Sequence, residues 1–573
     1  MVEKGGLLFP DACLMERMPE HTEVLIVGGG PCGLTLAIEL GRRGIEVVLV
    51  DQKPGTAVNP QANATQARTM EHFRRLGIAS EVRALGLPQD YPTDIAYFTR
   101  YGGIELARFR LPSSQQASVI ARSSSGSWST AELPHRVSQK FVEQVLRRHA
   151  VAQQSVSVHY GWKLDDFVED ADAVTVSIEC VQTGERRRLQ AKYLIGADGA
   201  RSSVRHKLAI RYGGETGEQR DFFGGKMVAV YLRAPDFYQR MPHDRAWMYW
   251  AFNSRRRSWL AAINGRDEFA FHTQLKPGED DRISEQRARE LVSQVLAVPL
   301  DIEVLAADTW IAGHALVAEN FGEGRIYIGG DAAHLFTPAG GLGYNTAVED
   351  AVNLGWKLAA AVCEKAGPAL LESYVYERSK LAVRNTGYAR GFAREIGNFI
   401  PEPELEEDTP AGAAARSRAA EFLNAYVRRE FNIPGVTFGG RYDGSPVIIA
   451  DGSLLPNDAA NEYVPTASPG GRPPHVWLDD GRSLFDLFGP EWTLLQLGGE
   501  AACAAPFVAA AQEFGVELEL VSLDSPTTRA LYESDLVLIR PDQIVGWRGD
   551  GRWLDCERLF AQLLGHNPAR ARH

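Results

Sequence analysis

Gly28, Gly30 and Gly33 stand at GxGxxG spacing within VGGGPCG. In such a run the first glycine permits a tight turn, the second lets a pyrophosphate approach the backbone, and the third lets a helix pack on a strand. The free amides at the start of that helix then face the phosphates. Asp51 follows 18 residues after Gly33, where a carboxylate can accept hydrogen bonds from ribose hydroxyls. Glycine-rich turns are common in loops, so the acid in register is what turns the glycine run into a dinucleotide signal.

That chemistry requires a strand, a helix and a second strand in close succession. Glu23 to Val27 is an apolar, β-branched run suited to a buried parallel strand. Leu34 to Arg43 reads as a helix ended by Gly44, and Glu46 to Val50 as the next strand. Residues 89–127 and 208–315 lose this rhythm and alternate, as in Met227 to Leu232 and Ala246 to Phe252, which predicts an inserted antiparallel sheet. Residues 326–331 restore a buried strand, and Ala347 to Cys363 reads as a helix with Ala351, Leu354, Leu358 and Ala359 on one face.

The nucleotide-binding domain is therefore expected to be discontinuous, over 21–88, 128–207 and 316–400. Residues 401–416 read as an exposed loop within a connecting helical and loop region, 401–465, and Pro465 to Pro474 as a linker. A last α/β domain is expected over 466–573. Its elements are strand-like Trp492 to Gln496, helical Ala505 to Glu513, strand-like Glu517 to Val521, paired strands around Val537 to Ile539 and Ile544 to Trp547, and a helix from Trp553 to Leu564. The predicted class is α/β: a Rossmann-like domain, an inserted antiparallel β-sheet domain for substrate, and a small C-terminal domain.

Composition narrows the function classes. The chain's 573 residues exceed one growing core, and 45% hydrophobic with 23% charged content suits an ordinary globular protein. With 61 basic and 73 acidic residues the net charge of -12 disfavours a nucleic-acid partner. The six cysteines are scattered without CxxC pairs, so neither a metal site nor a disulfide framework is expected. No long apolar run predicts a membrane span or a signal peptide, and a cytoplasmic enzyme is the expectation. Residues 1–20 read as a flexible extension.

Two further stretches carry a family resemblance. YLIGADGARSSVR, from Tyr193 to Arg205, and RIYIGGDAAHLFTPAGGLGYNTAVEDAVNLGWK, from Arg325 to Lys357, resemble the Asp-Gly and Gly-Asp motifs of the class A flavoprotein aromatic hydroxylases, the family of phenol and hydroxybenzoate hydroxylases. The resemblance implies bound FAD, NADPH or NADH as reductant, and dioxygen as co-substrate. It implies hydroxylation of a phenolic or polyketide-type ring through a flavin C4a-hydroperoxide. A Baeyer-Villiger or epoxidising outcome on a polycyclic natural product remains an alternative, as does a flavin-binding scaffold without turnover.

The same resemblance assigns residues. Asp331 is expected at a ribityl hydroxyl, and Gly341, Gly343, Tyr344 and Asn345 at the flavin's pyrimidine edge, where helix-start amides suit the charge of the reduced ring. Pro338 is expected on the flavin face where substrate reacts, Asp198 against FAD, and Gln139 near its phosphates. In the segment from Asn59, Gln61 and Arg68 are further cofactor contacts, although many members carry arginine where this chain has Gln61. Asn63 occupies the place of an acid or histidine in relatives. It can orient a substrate hydroxyl but cannot take its proton at neutral pH.

Tyr249, with Trp247, Trp250 and Phe252, offers aromatic walls, although alternate aromatics on a strand also make ordinary core. His334 is a proton-transfer candidate with a structural hydrogen bond as the equal alternative. WLDDGRSLFDLFG and LVLIRPDQIVGWRGD resemble the thioredoxin-like C-terminal domain of these hydroxylases. Cys503 and Cys556 are not paired redox thiols, so packing or assembly into a homodimer or higher homo-oligomer is expected of it.

Overall fold

The computed structural model describes residues 18–216, 222–498, 503–550 and 555–566. Of the expected N-terminal extension, residues 1–17 lie outside these, and Met18 is packed into the core. Strand β1 (His21–Val27), helix α1 (Pro31–Gly41) and strand β2 (Val47–Asp51) form the first unit. β1 lies between two parallel neighbours, β2 and the strand Arg186–Gly196, and Ile326–Ile328 and Val156–Tyr160 extend the parallel array on either side. Val24, Leu25 and Ile26 have no exposed surface, which explains why the run is apolar on both faces.

The helix α1 starts at Pro31, three residues before the expected Leu34, because proline fits the first helical position. The restored strand is shorter than 326–331: it ends at Ile328, and Gly330–Ala332 turn as a single helical turn. The long helix begins at Leu342, not Ala347, with Gly341 at φ +65° as its N-cap.

A seven-stranded, mostly antiparallel sheet is inserted between these elements. Its order runs Glu303–Ile311, Lys226–Arg233, Glu268–Gln274, Arg257–Ala262, Met248–Phe252, Ile95–Phe98, Glu105–Phe109. The expected exposed loop at 401–416 is mostly helix. Thr409 caps the helix Pro410–Phe431 by accepting from the Gly412 amide, and Pro410 sits in its first turn. The Thr-Pro pair is a helix start, and Ala415, Ala419 and Leu423 bury that helix against the inserted sheet.

The expected linker around 465–474 has no regular structure but is buried, and Arg472 is ion-paired with Glu71 of the helix α2 (Ala67–Arg75) at 2.5 Å. The last domain is thereby fixed to the first. Its four-stranded sheet runs Leu518–Ser522, Trp492–Gln496, Leu536–Ile539, Val545–Gly549, with one parallel pair and two antiparallel ones. The helices Ala505–Glu513 and Pro526–Tyr532 connect it, and the final helix spans Cys556–Leu563, Trp553 lying outside the described residues. This is the α/β class expected. Among the described residues no helix is long and apolar enough to cross a membrane.

Candidate functional site

The GxGxxG turn is shaped by close backbone approach. Gly28, at φ +116°, lies where a Cβ would come within 2.1 Å of the Ala197 carbonyl oxygen, and a Cβ on Gly33 would come within 1.9 Å of the Gly28 oxygen. Gly30 differs: a Cβ there meets no protein atom within 4 Å, because the residue borders a cavity. Asp51 accepts from the Gly29 amide at 2.6 Å and from the Lys53 amide at 2.7 Å, so its carboxylate is held at the same cavity wall.

The Asp-Gly and Gly-Asp stretches are bonded to each other. Arg205 donates to the carbonyl oxygens of Ala200 and Ala332 and to the Tyr212 hydroxyl, which donates to the backbone oxygen of Asp331 at 2.5 Å. Asp198 caps the short helix that follows it, accepting from the Ser203 amide at 2.6 Å, and burial raises its carboxyl above the ordinary range. Among the described residues no donor reaches the Asp331 carboxylate, which is exposed to the cavity.

One continuous cavity of about 1190 Å³ joins these parts. That exceeds the ~300–1,000 Å³ typical for one drug-sized ligand. Gly28, Gly30, Asp51, Gln61, Asn63, Gln139, Asp198, Asp331, Pro338, Gly341, Gly343 and Tyr344 all line it. Gln139 starts its helix with its amide on the Ala62 oxygen, and its side chain donates to Glu143 at 2.8 Å. It is also lined by Trp250 and Trp259 of the inserted sheet, by Trp247 and Phe223 just before two of its strands, and by Phe431 of the connecting helix.

Four expected residues do other work. Tyr249 lies on the opposite face of its strand from Trp250, packed on Phe98 and Phe237, and its hydroxyl accepts from the Ala246 amide. It does not line the cavity, and neither does Phe252. Arg68 points away: it donates to the carbonyl oxygens of Asp542 and Gln543 and to Glu71, joining the first domain to the last.

His334 is fully buried on Asp350, whose carboxylate also takes the Gly330 amide and Arg378. Burial pushes the Asp350 carboxyl up, yet His334 and Arg378 together hold it below its usual range. His334 thus braces the Gly-Asp turn and does not face the cavity. Asn345 likewise acts by positioning, accepting from the Gln66 amide and donating to the oxygens of Ala64 and Gly341.

Of the charged residues at the cavity that were not foreseen, two stand out. Glu430 accepts from the Gly340 amide at 3.0 Å and from the Tyr426 hydroxyl at 2.5 Å. Burial raises its carboxyl to about 7, with Glu395 adding repulsion; Tyr97 and Tyr426 are further titratable groups against it, and among the described residues no cation is paired with it. Arg136 is the second, 6% exposed and stacked 4.5 Å over Trp247. A lone charged residue carries no motif, so only the tertiary structure reveals them.

The Glu430 shift has a definite sign. Its folded-state value lies above the ordinary 4.5, so its contribution to stability is complete below that value and is lost as pH rises through about 7. Glu430→Gln is expected to match the parent protein near pH ~5 and to exceed it near pH ~8 by on the order of 1–3 kcal/mol. Melting temperatures of both proteins across that range measure it, and a pH-independent difference between them refutes it.

The residues fit an FAD. The Gly30 turn leaves open space, the Asp331 carboxylate is an unused acceptor, and the first turn of the helix Leu342–Val362 borders the cavity. Comparison with known proteins agrees. The model described as "FAD binding domain" matches residues 21–388, and "Aromatic-ring hydroxylase, C-terminal" matches 466–566.

The FAD-dependent monooxygenase apdD of Emericella nidulans is 30% identical over 570 residues, covering 95% of this chain and 90% of its own. Phenol 2-monooxygenase of a Pseudomonas species is 28% identical over 585 residues, covering 95% and 92%. The rebeccamycin biosynthetic enzyme RebC with reduced flavin superposes with a TM-score of 0.85 at 33% identity, over 96% of this chain and all of that one.

Proposed function

Because the chain belongs to the FAD-binding aromatic-ring hydroxylases, we propose that its cavity seats a polycyclic phenol between the tryptophan-lined sheet and the Pro338 turn. The protein is a flavin-dependent monooxygenase of phenolic or polyketide-type rings, with FAD as cofactor and NAD(P)H as reductant. The observation that carries the substrate reading is one continuous cavity lined both by the glycines and acids of the nucleotide motifs and by the aromatic residues of the inserted sheet. FAD supplies the hydride acceptance and oxygen activation that no side chain can.

The chain's own residues bind, orient and exclude water. The Gly28–Gly30 turn and the start of α1 hold the diphosphate, Asp51 the ribose, and Asp198 and Asp331 further polar groups of the cofactor. Amides near Gly341 and Gly343 would hold the flavin ring, and Asn345 fixes that turn against Ala64. Trp250 and Trp259 keep the aromatic part of the cavity dry, which protects oxygen transfer from water. Asn63, whose Oδ1 is buried without a partner, orients the substrate hydroxyl by accepting from it.

The test is substrate-stimulated NAD(P)H oxidation by the yellow holoprotein with a panel of polycyclic phenols, and product masses under labelled dioxygen. A gain of one labelled oxygen on an intact ring supports hydroxylation, whereas ring insertion or an epoxide supports the alternative oxygenation. Asn63→Ala is expected to raise the substrate KM roughly 3- to 10-fold, one neutral hydrogen bond's worth, with FAD affinity unchanged. An unaltered KM refutes the role of Asn63.

A further inference from the structure

Arg136 is a buried cation with nothing to neutralise it. It is 6% exposed, and among the described residues no carboxylate, carbonyl or hydroxyl bonds its guanidinium. It is stacked on the Trp247 ring, 4.5 Å from the guanidinium carbon. Removing a charge from water without a counter-ion costs several kcal/mol, so in folded proteins such groups are paired or bind something.

The placement says what is bound. His135 and Thr65 exchange two backbone hydrogen bonds, and the Gln139 amide bonds Ala62. Arg136 is thereby fixed on an extended segment alongside Asn63 and Ala64, and it lines the cavity with them and with Trp247. Other cations in this region are engaged or neutral. Lys140 donates to Tyr231 and pairs with Glu268, Lys226 pairs with Asp281, and burial brings His272 down to about 4. Among the described residues Arg136 is therefore an unspent, buried positive charge beside aromatic walls. A guanidinium's planar fork matches a carboxylate with two parallel hydrogen bonds. A phenol that carries no acid group, neutral near pH ~7, would leave the charge uncompensated.

We propose that Arg136 is a carboxylate-binding residue and that the phenolic substrate is also an aromatic acid, its carboxylate clamped at Arg136 while the ring to be oxygenated lies towards Pro338. This rests on the monooxygenase reading and names its substrate class.

The test compares anthraquinone-2-carboxylate with its methyl ester on the FAD-loaded protein, reading Kd from tryptophan quenching and from perturbation of the flavin absorption. The carboxylate is expected to bind roughly 10-fold or more tightly than the ester, the usual size of a charge-assisted contact. Arg136→Met should erase that preference and leave the ester's Kd within about twofold, while Arg136→Lys, which keeps charge without the fork, should retain part of it. Equal binding of acid and ester to the parent protein, no binding of the acid, or a preference that survives in Arg136→Met overturns the proposal. FAD uptake and phenol-stimulated NAD(P)H oxidation are measured alongside. If they persist without a carboxylate preference, the monooxygenase reading stands and only the aromatic-acid assignment falls.

Discussion

Gly28→Ala is expected to give a protein that neither binds FAD nor folds stably. The residue sits at φ +116°, a region closed to side chains, and its new Cβ would lie 2.1 Å from the Ala197 oxygen. Neither neighbour can yield. The Gly28 amide is bonded to Val50 and the Ala197 amide to Val27, so a shift breaks the sheet on both sides of β1. A loss of ~3 kcal/mol or more follows from strain and broken ladder bonds together.

Gly30→Ala is the informative partner. At φ -82° and with no protein atom within 4 Å of its Cβ, it is expected to melt like the parent protein. Its FAD affinity should nevertheless fall ~10-fold or more, because the methyl occupies space the diphosphate needs. Circular dichroism melts and flavin fluorescence titrations separate the two effects. If Gly30→Ala binds FAD as tightly as the parent protein, the turn does not face the diphosphate.

This contrast shows what can be read from sequence. Backbone geometry that only glycine satisfies leaves a mark at fixed spacing, so Gly28, Gly33 and the Gly340–Gly341 turn stand out, as does Asp51 at the end of the next strand. Alternation is less informative. Along Met248–Phe252 it separates two faces, but both are buried, and only the sheet's packing puts Trp250 towards the cavity and Tyr249 away from it.

Residues whose role depends on distant partners leave no local mark. Arg68 resembles a cofactor contact, yet its acceptors at Asp542 and Gln543 lie at the far end of the chain. His334 stands beside Asp331 in sequence, but Asp350 from the following helix claims it. Glu430 and Arg136 are ordinary polar residues until the fold strips them of water.

The largest effect away from the cavity is expected at Glu377. Its carboxylate is fully buried and accepts from Arg540 at 2.7 and 3.0 Å, Lys357 at 2.6 Å, Asn353 at 2.7 Å and Ser445 at 2.7 Å. These donors come from the long helix of the first domain, the connecting segment and the C-terminal sheet. One carboxylate therefore joins three parts of the chain. Burial pushes its pKa up, but Arg540 and Lys357 drive it far below the usual range, so its contribution is complete above the ordinary carboxylate value and lost only in strong acid.

Glu377→Ala leaves Lys357 and Arg540 buried, with Asp542 as the remaining acid against them among the described residues, bonded to Arg540 at 2.6 Å. The expected cost is about 3–5 kcal/mol, that of stranding a buried charge. The C-terminal domain should also separate at a lower temperature than in the parent protein, exposing Trp356 and Trp492, which meet edge to face at 5.7 Å. Adding Lys357→Met to Glu377→Ala removes one stranded cation and should recover part of the loss, since replacing both partners of a buried pair costs less than removing one. Calorimetry with tryptophan fluorescence on the two variants decides it. A Glu377→Ala protein that melts within about 1 kcal/mol of the parent in one transition, a surface-like effect, would mean that apolar packing between Trp356, Leu370 and the C-terminal sheet holds the domains together without the carboxylate.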